Sequence, residues 1–270
     1  MTADLRRQVL TVLIFIVTIA VNGAAVGIPL GGKTTGELSD LYPVPIVPAN
    51  FVFAIWSVIY TLLLVYTIYQ ALPGRREDPV LRRLGWLPAL SGILNAVWVV
   101  LWQLQETAPT VLLTVPVMVA LLLTLIACWA RMREPQPGPA PRGQGWMVAL
   151  PFSVYLGWIT VATIANVTQM LWTVLGKPES IVLGGPLWGA LILIVGLAIA
   201  TPIVLRGRDV AYGVVIVWAY AGIVAKQTAA ASPPEATIVV AAAGAAWIAV
   251  CCLVVVVRSL PGARSAAATA

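Results

Sequence analysis

Eight apolar stretches, each near the ~20 residues that carry a helix across a bilayer, take up almost the whole chain. They run at roughly 9–29, 48–72, 86–104, 109–131, 146–174, 182–205, 210–229 and 236–257, and are numbered here as segments one to eight. Pro, Gly and charge fill the breaks, among which "PGRREDPVLRR" and "RMREPQPGPAPRGQG" are long yet far too short for a soluble domain. A transmembrane barrel would show alternating ten-residue segments instead of continuous Leu/Val/Ala/Ile runs. Backbone polar groups in hydrocarbon must be satisfied within the segment, so the expected fold is an all-α integral membrane protein with eight transmembrane helices. A mean hydropathy of +0.96 with only 10% charged residues makes the lipid bilayer the first partner.

The net charge of +6 does not indicate a nucleic-acid partner once the basic residues are set on alternating breaks. Arg6 and Arg7 precede segment one; Arg75, Arg76, Arg82 and Arg83 follow segment two; Arg131, Arg133 and Arg142 follow segment four. Arg206 and Arg208 follow segment six, and Arg258 and Arg264 follow segment eight. Every arginine thus falls on one side, and Lys33, Lys177 and Lys226 fall on the other. The positive-inside rule makes the arginine side cytoplasmic, so a multi-pass protein of the cell membrane with both termini inside is expected. The first apolar run is too long for a secretory signal and is read as a membrane helix. Cys128, Cys251 and Cys252 all lie within segments and are read as small apolar residues, not as a disulfide framework.

Chemistry needs groups that titrate or coordinate. The chain has no histidine, which removes imidazole as metal ligand, haem ligand, proton shuttle or catalytic base. Its ten carboxylates fall in loops or at segment ends, leaving no intramembrane acid pair for ion coupling. No metal site and no required cofactor are expected, and the chain is not read as an enzyme. Lys226, near the outer end of segment seven, is read as a snorkelling lysine: a retinal-type Schiff base would want an internal counter-ion that the sequence does not offer.

Aromatic and amide side chains remain. Segment two carries Phe53, Trp56 and Tyr60 at i, i+3 and i+7; segment three carries Asn95, Trp98 and Trp102 at the same spacing; segment five carries Tyr155, Trp158, Ala162 and Asn166 along one face. A buried amide costs about 1–3 kcal/mol unless it is hydrogen-bonded, so Asn95 and Asn166 should face protein or a ligand's polar edge. The rings beside them either join helix to helix or line a cavity, and the sequence leaves both open. Trp86, Trp146, Trp172 and Trp188 sit near segment ends and read as interfacial anchors. Gly23 and Gly27 form a G-x-x-x-G pair in segment one, suited to close helix contact within the protomer or across a homodimer.

The stretches "PANFVFAIWSVIY", "LNAVW" and "YLGWITVATIAN", in that order, resemble the tryptophan-rich sensory protein (TspO) family, relatives of the mitochondrial translocator protein. The resemblance covers about residues 9 to 174 and implies a five-helix bundle over 1–175, followed by three additional helices and a short tail over 176–270. It also implies a bound tetrapyrrole such as a porphyrin, or a sterol-like molecule, in a pocket closed by the loop between the first two helices. Carried over by motif, Phe53, Trp56 and Tyr60, then Asn95 and Trp98, then Tyr155, Trp158, Ala162 and Asn166 would line it. The outside loop 30–47 is the natural lid. Phe51, Ser91, Val99 and Val154 depart from the family's usual Trp, Gln, Ser and Pro. The expected function is a membrane receptor or sensor for such a ligand; a carrier of a small hydrophobic solute is the alternative, and a porphyrin-degrading enzyme the weakest reading.

Overall fold

Thr2 starts the first helix: its hydroxyl accepts from the Leu5 amide at 3.4 Å, and α1 runs Ala3–Gly27. Nine more helices follow among the residues that the computed structural model describes, which are 2–28, 32–105, 110–135, 143–175 and 186–260. They are α2 (Thr35–Asp40), α3 (Ile55–Ala71), α4 (Pro79–Leu84), α5 (Leu87–Gln103), α6 (Val111–Arg133), α7 (Leu150–Val174), α8 (Pro186–Leu205), α9 (Val210–Thr228) and α10 (Glu235–Ser259). The described residues contain no strand.

Among the described residues, seven helices are long and apolar enough to cross a membrane. The eighth expected span, α5, has 17 residues, which at 1.5 Å per residue covers about 26 Å, just short of a ~30 Å hydrocarbon core. The shortening has a local cause. Gly85 adopts φ 56° and ends α4, and the next helix opens only at Leu87 with Pro88 in its first turn. Segment two also opens differently from the expectation. Residues 48 and 49 are irregular, Asn50–Ala54 form a 3₁₀ turn, and the α-helix begins at Ile55. Lys177, Arg142 and Arg264 lie outside the described residues.

The chain divides into two units, residues 1–42 with 53–159 and residues 43–52 with 160–270. In the first unit α5 lies against α1 and α6, and α3 against α1. Gly92 makes the α1–α5 approach possible: a Cβ there would stand 2.9 Å from Thr18 Oγ1 and 3.0 Å from Ile14 Cγ2. A Cβ on Gly23 or Gly27, the pair singled out in the sequence, would meet no heavy atom within 4 Å, so the glycine that lets α1 and α5 approach is Gly92 of α5. An aromatic column runs through this unit, Phe15 to Tyr66 (6.0 Å between centroids) and Tyr66 to Phe152 (4.9 Å), both edge-to-face.

Arginines close one end of the first unit. Arg82 donates to both carboxylate oxygens of Asp4, Arg7 donates to the Arg76 carbonyl, and Arg83 reaches the Glu134 carbonyl. Gln8 Nε2 donates to the Gln70 carbonyl at 2.6 Å and Gln70 Nε2 returns a bond to the Gln8 carbonyl at 3.3 Å, which ties α1 to α3. The Asp4 carboxylate holds the Arg82 guanidinium further into its charged form. At the other end, the Thr34 amide and hydroxyl donate to Glu37 while the Thr34 hydroxyl caps α2, a reciprocal box that lowers the Glu37 pKa from its ordinary value.

In the second unit α8, α9 and α10 contact one another in every pairing. Gly213, Gly189 and Gly244 permit it: a Cβ on Gly213 would collide with Cys252, one on Gly189 with Thr237, and one on Gly244 would lie 2.9 Å from Leu197. Asp209 caps α9 by accepting from the Tyr212 amide at 3.1 Å. Lys226 lies in the last turn of α9, where a cation suits the helix dipole.

Candidate ligand site

The first unit gathers seven of the nine sequence-selected residues around Trp56. Its ring stacks on Tyr60 (5.5 Å, 14°) and Trp98 (6.2 Å, 29°) and meets Tyr155 (6.3 Å) and Trp158 (6.1 Å) edge-on. Phe53 completes the group, edge-to-face with Trp158 at 5.7 Å. The 3₁₀ turn before α3 supplies Phe53, and α3, α5 and α7 supply the other rings from positions three or four apart, which share a helix face. Offset and edge-to-face pairs of this kind each contribute about 0.5–1.5 kcal/mol beyond the area they bury.

Asn95 stands at the polar edge of the cluster and is fully buried. Its Oδ1 accepts from Asn22 Nδ2 at 2.7 Å and, at a long 3.4 Å, from the Tyr60 hydroxyl. Asn22 Nδ2 also donates to the Thr18 carbonyl at 2.8 Å. A backbone carbonyl accepts only, so it fixes which end of the Asn22 amide faces it; that in turn fixes Asn95 with its oxygen toward Asn22 and its Nδ2 on the opposite side. Asn95 Nδ2, Trp98 Nε1 and Trp158 Nε1 are all buried and have no hydrogen-bond partner among the described residues. Each such donor costs about 1–3 kcal/mol. The cluster therefore packs its rings against one another and leaves three buried N–H groups without a partner among the described residues.

Two residues identified by sequence lie elsewhere. Ala162 and Asn166, further along α7, belong to the second unit, where Asn166 is buried at 2% exposure and Ala162 is half-buried. Two others matter that were not among the nine: Asn22, and Trp102, which the spacing had already put in line with Asn95 and Trp98. Asn22 is an amide inside an apolar span, the same signal that picked out Asn95, and Thr18 one turn earlier marked its partner. Trp102 extends the ring stack from Trp98 (5.4 Å) and donates to the Thr35 carbonyl of α2 at 3.2 Å, while Tyr42 donates to Gln105 at 2.8 Å. Part of the loop expected to act as a lid is thus a short capped helix bonded to the end of α5.

The departures from the family pattern have separate fates. Ser91 is fully buried and donates to the Pro88 carbonyl, Val99 is core, and Phe51 lies in the second unit against Trp218 at 5.5 Å.

The sequence model of the TSPO-like protein family matches residues 8–256. The chain belongs to that family. The match extends past residue 174, so α8, α9 and all but the last three residues of α10, for which the quoted motifs offered no counterpart, fall inside the part of this TSPO-like chain that the family model covers. No curated protein and no solved structure matches the chain.

Proposed function

We propose that this TSPO-like protein is a membrane receptor for a flat hydrophobic ligand of the tetrapyrrole class, bound in the first unit at the Trp56 cluster. The observation that carries the reading is the set of three buried, unused N–H donors, from Asn95, Trp98 and Trp158, beside stacked rings. A ring system presenting acceptor atoms would stack on the indoles and take up those donors, and it would gain both terms at once. A ligand whose edge carries only donors would leave the three N–H groups unmet. The arginine-rich ends are taken as cytoplasmic, with the α2 end outside, in the cell membrane.

A titration of the purified protein with protoporphyrin, followed by tryptophan fluorescence and the porphyrin absorption band, tests the reading. Saturable quenching with one site is expected; absence of quenching at micromolar ligand would sink it. A carrier is the second reading; the second unit holds an apolar cavity lined by Ile46, Ile164, Leu193 and Tyr220 among others, but at about 20 Å³ it has room for little more than a water. Counterflow of labelled porphyrin in proteoliposomes would support the carrier. Loss of porphyrin absorbance under light would support a degrading enzyme instead.

A further inference from the structure

The turn between α8 and α9 reads Arg206, Gly207, Arg208, Asp209. The carbonyl of Pro202, inside α8, accepts from the Arg206 amide at 2.9 Å and the Gly207 amide at 3.2 Å, which closes the helix. Arg208 then takes φ 51°, the left-handed region that favours glycine, although Gly207 stands directly before it. The turn therefore holds an arginine at a backbone position where glycine would cost less. Asp209, the next residue, is turned into the fold: it is 4% exposed and its carboxylate accepts from the Tyr212 amide. Arg206 and Arg208 are exposed, and neither forms an ion pair or a side-chain hydrogen bond with a described residue.

A third guanidinium comes from α10. Its later turns lie against the start of α9, where the Cys252 thiol donates to the Val210 carbonyl at 3.9 Å. Arg258 is six residues further on, about 9 Å along the axis. It follows the buried Cys251 at i+7 and the buried Val255 at i+3, so it continues the packed face past Val210, on the side where the turn lies. Arg258 too is exposed and unbonded to any described residue, and Glu235 opens α10 at its opposite end. The first unit treats its arginines otherwise: Arg82 is bonded to Asp4, Arg131 to the Arg83 carbonyl, and Arg133 lies over the Trp129 ring.

We infer that Arg206, Arg208 and Arg258 form a site for the phosphate of an anionic glycerophospholipid. Guanidinium forks match phosphate oxygens in pairs and shed water more readily than an ammonium does. The residues leading to them, Leu205 on α8 and Leu253, Val256 and Val257 on α10, expose apolar side chains along which acyl chains can lie. That face favours a lipid over a free phosphate ester. On the orientation taken above the lipid belongs to the cytoplasmic leaflet; the site itself depends neither on that orientation nor on the tetrapyrrole reading.

Native mass spectrometry of the full chain in detergent, with phosphatidylglycerol or phosphatidylcholine added to the micelles, tests the site. The wild type should retain phosphatidylglycerol about tenfold better than phosphatidylcholine. Arg206→Gln with Arg208→Gln should bring that ratio to about twofold or less, whereas Arg131→Gln with Arg133→Gln, which removes the same charge from the first unit, should leave it unchanged. No preference in the wild type would overturn the site, and so would an equal loss in both pairs, since total charge alone would then hold the lipid. Should the first pair fail to fold, Arg208→Gly decides, because glycine suits φ 51°. It should keep or raise the melting temperature and weaken phosphatidylglycerol retention about threefold or more; retention at the wild-type level would overturn the site. Glycerol phosphate at millimolar concentration should leave the lipid bound, and displacement by it would overturn the lipid in favour of a free phosphate ester.

Discussion

Asn22 Nδ2 donates to Asn95 Oδ1 at 2.7 Å, and this single bond between α1 and α5 determines that the aromatic cluster is edged by a donor and not by an acceptor. The Thr18 carbonyl orients Asn22, Asn22 orients Asn95, and Asn95 Nδ2, like the Trp98 and Trp158 indole N–H groups, is left without a partner among the described residues. In a low-dielectric interior such a chain is stiff, because turning either amide would face like group to like group.

Asn22→Ala should therefore weaken ligand binding although Asn22 itself belongs to none of the ring pairs of the cluster. Loss of one bond to a buried amide costs about 1–3 kcal/mol, and 1.4 kcal/mol is about a tenfold change in affinity. We expect a protoporphyrin Kd raised about tenfold with retained helicity, measured by fluorescence titration and circular dichroism. An unchanged Kd would mean that Asn95 holds its orientation without Asn22.

Trp158→Leu removes the ring that meets both Phe53 and Trp56, together with one unused donor. Binding should weaken about tenfold or more from lost stacking and burial, while Trp188→Leu, outside the cluster, should leave the Kd within about twofold. If Trp158→Leu instead unfolds the protein in mild detergent while the surviving molecules bind normally, the indole is core and not ligand wall.

Gly92→Val should destabilise the first unit by about 1–3 kcal/mol, because the new side chain enters the space of Thr18 and Ile14. Gly23→Ala, facing open space on α1, should be neutral or slightly stabilising, since alanine is a better helix former by roughly 1 kcal/mol. Thermal melts in detergent compare the two. A Gly23→Leu variant that shifts the oligomeric state would show that a second copy uses the Gly23 and Gly27 face.

Labelling fixes the orientation. Asp40→Cys, at the end of α2, should react with an impermeant maleimide added to intact cells, and Glu77→Cys, before α4, should react only after lysis. The reverse pattern would invert the topology and put the α2 end in the cytoplasm.

Sequence by itself determined that this is a helical membrane protein, because nothing but hydrogen-bonded helices can carry such apolar runs through lipid. It also selected the faces of α3, α5 and α7 that supply the Trp56 cluster, since helical spacing alone puts those residues in line. Other features belonged to the tertiary structure. Asn22 gains its meaning only where Gly92 lets α1 approach α5, and no periodicity in α1 reports what lies across that contact. Residues 48–52 read as the start of the second apolar segment; the bonds of Ala49 to Gly222 and of Val52 to Trp218 join positions about 170 apart in the chain, decided by which backbone groups meet after folding. Periodicity is a property of one helix at a time, whereas the amide orientation and these bonds each depend on two elements.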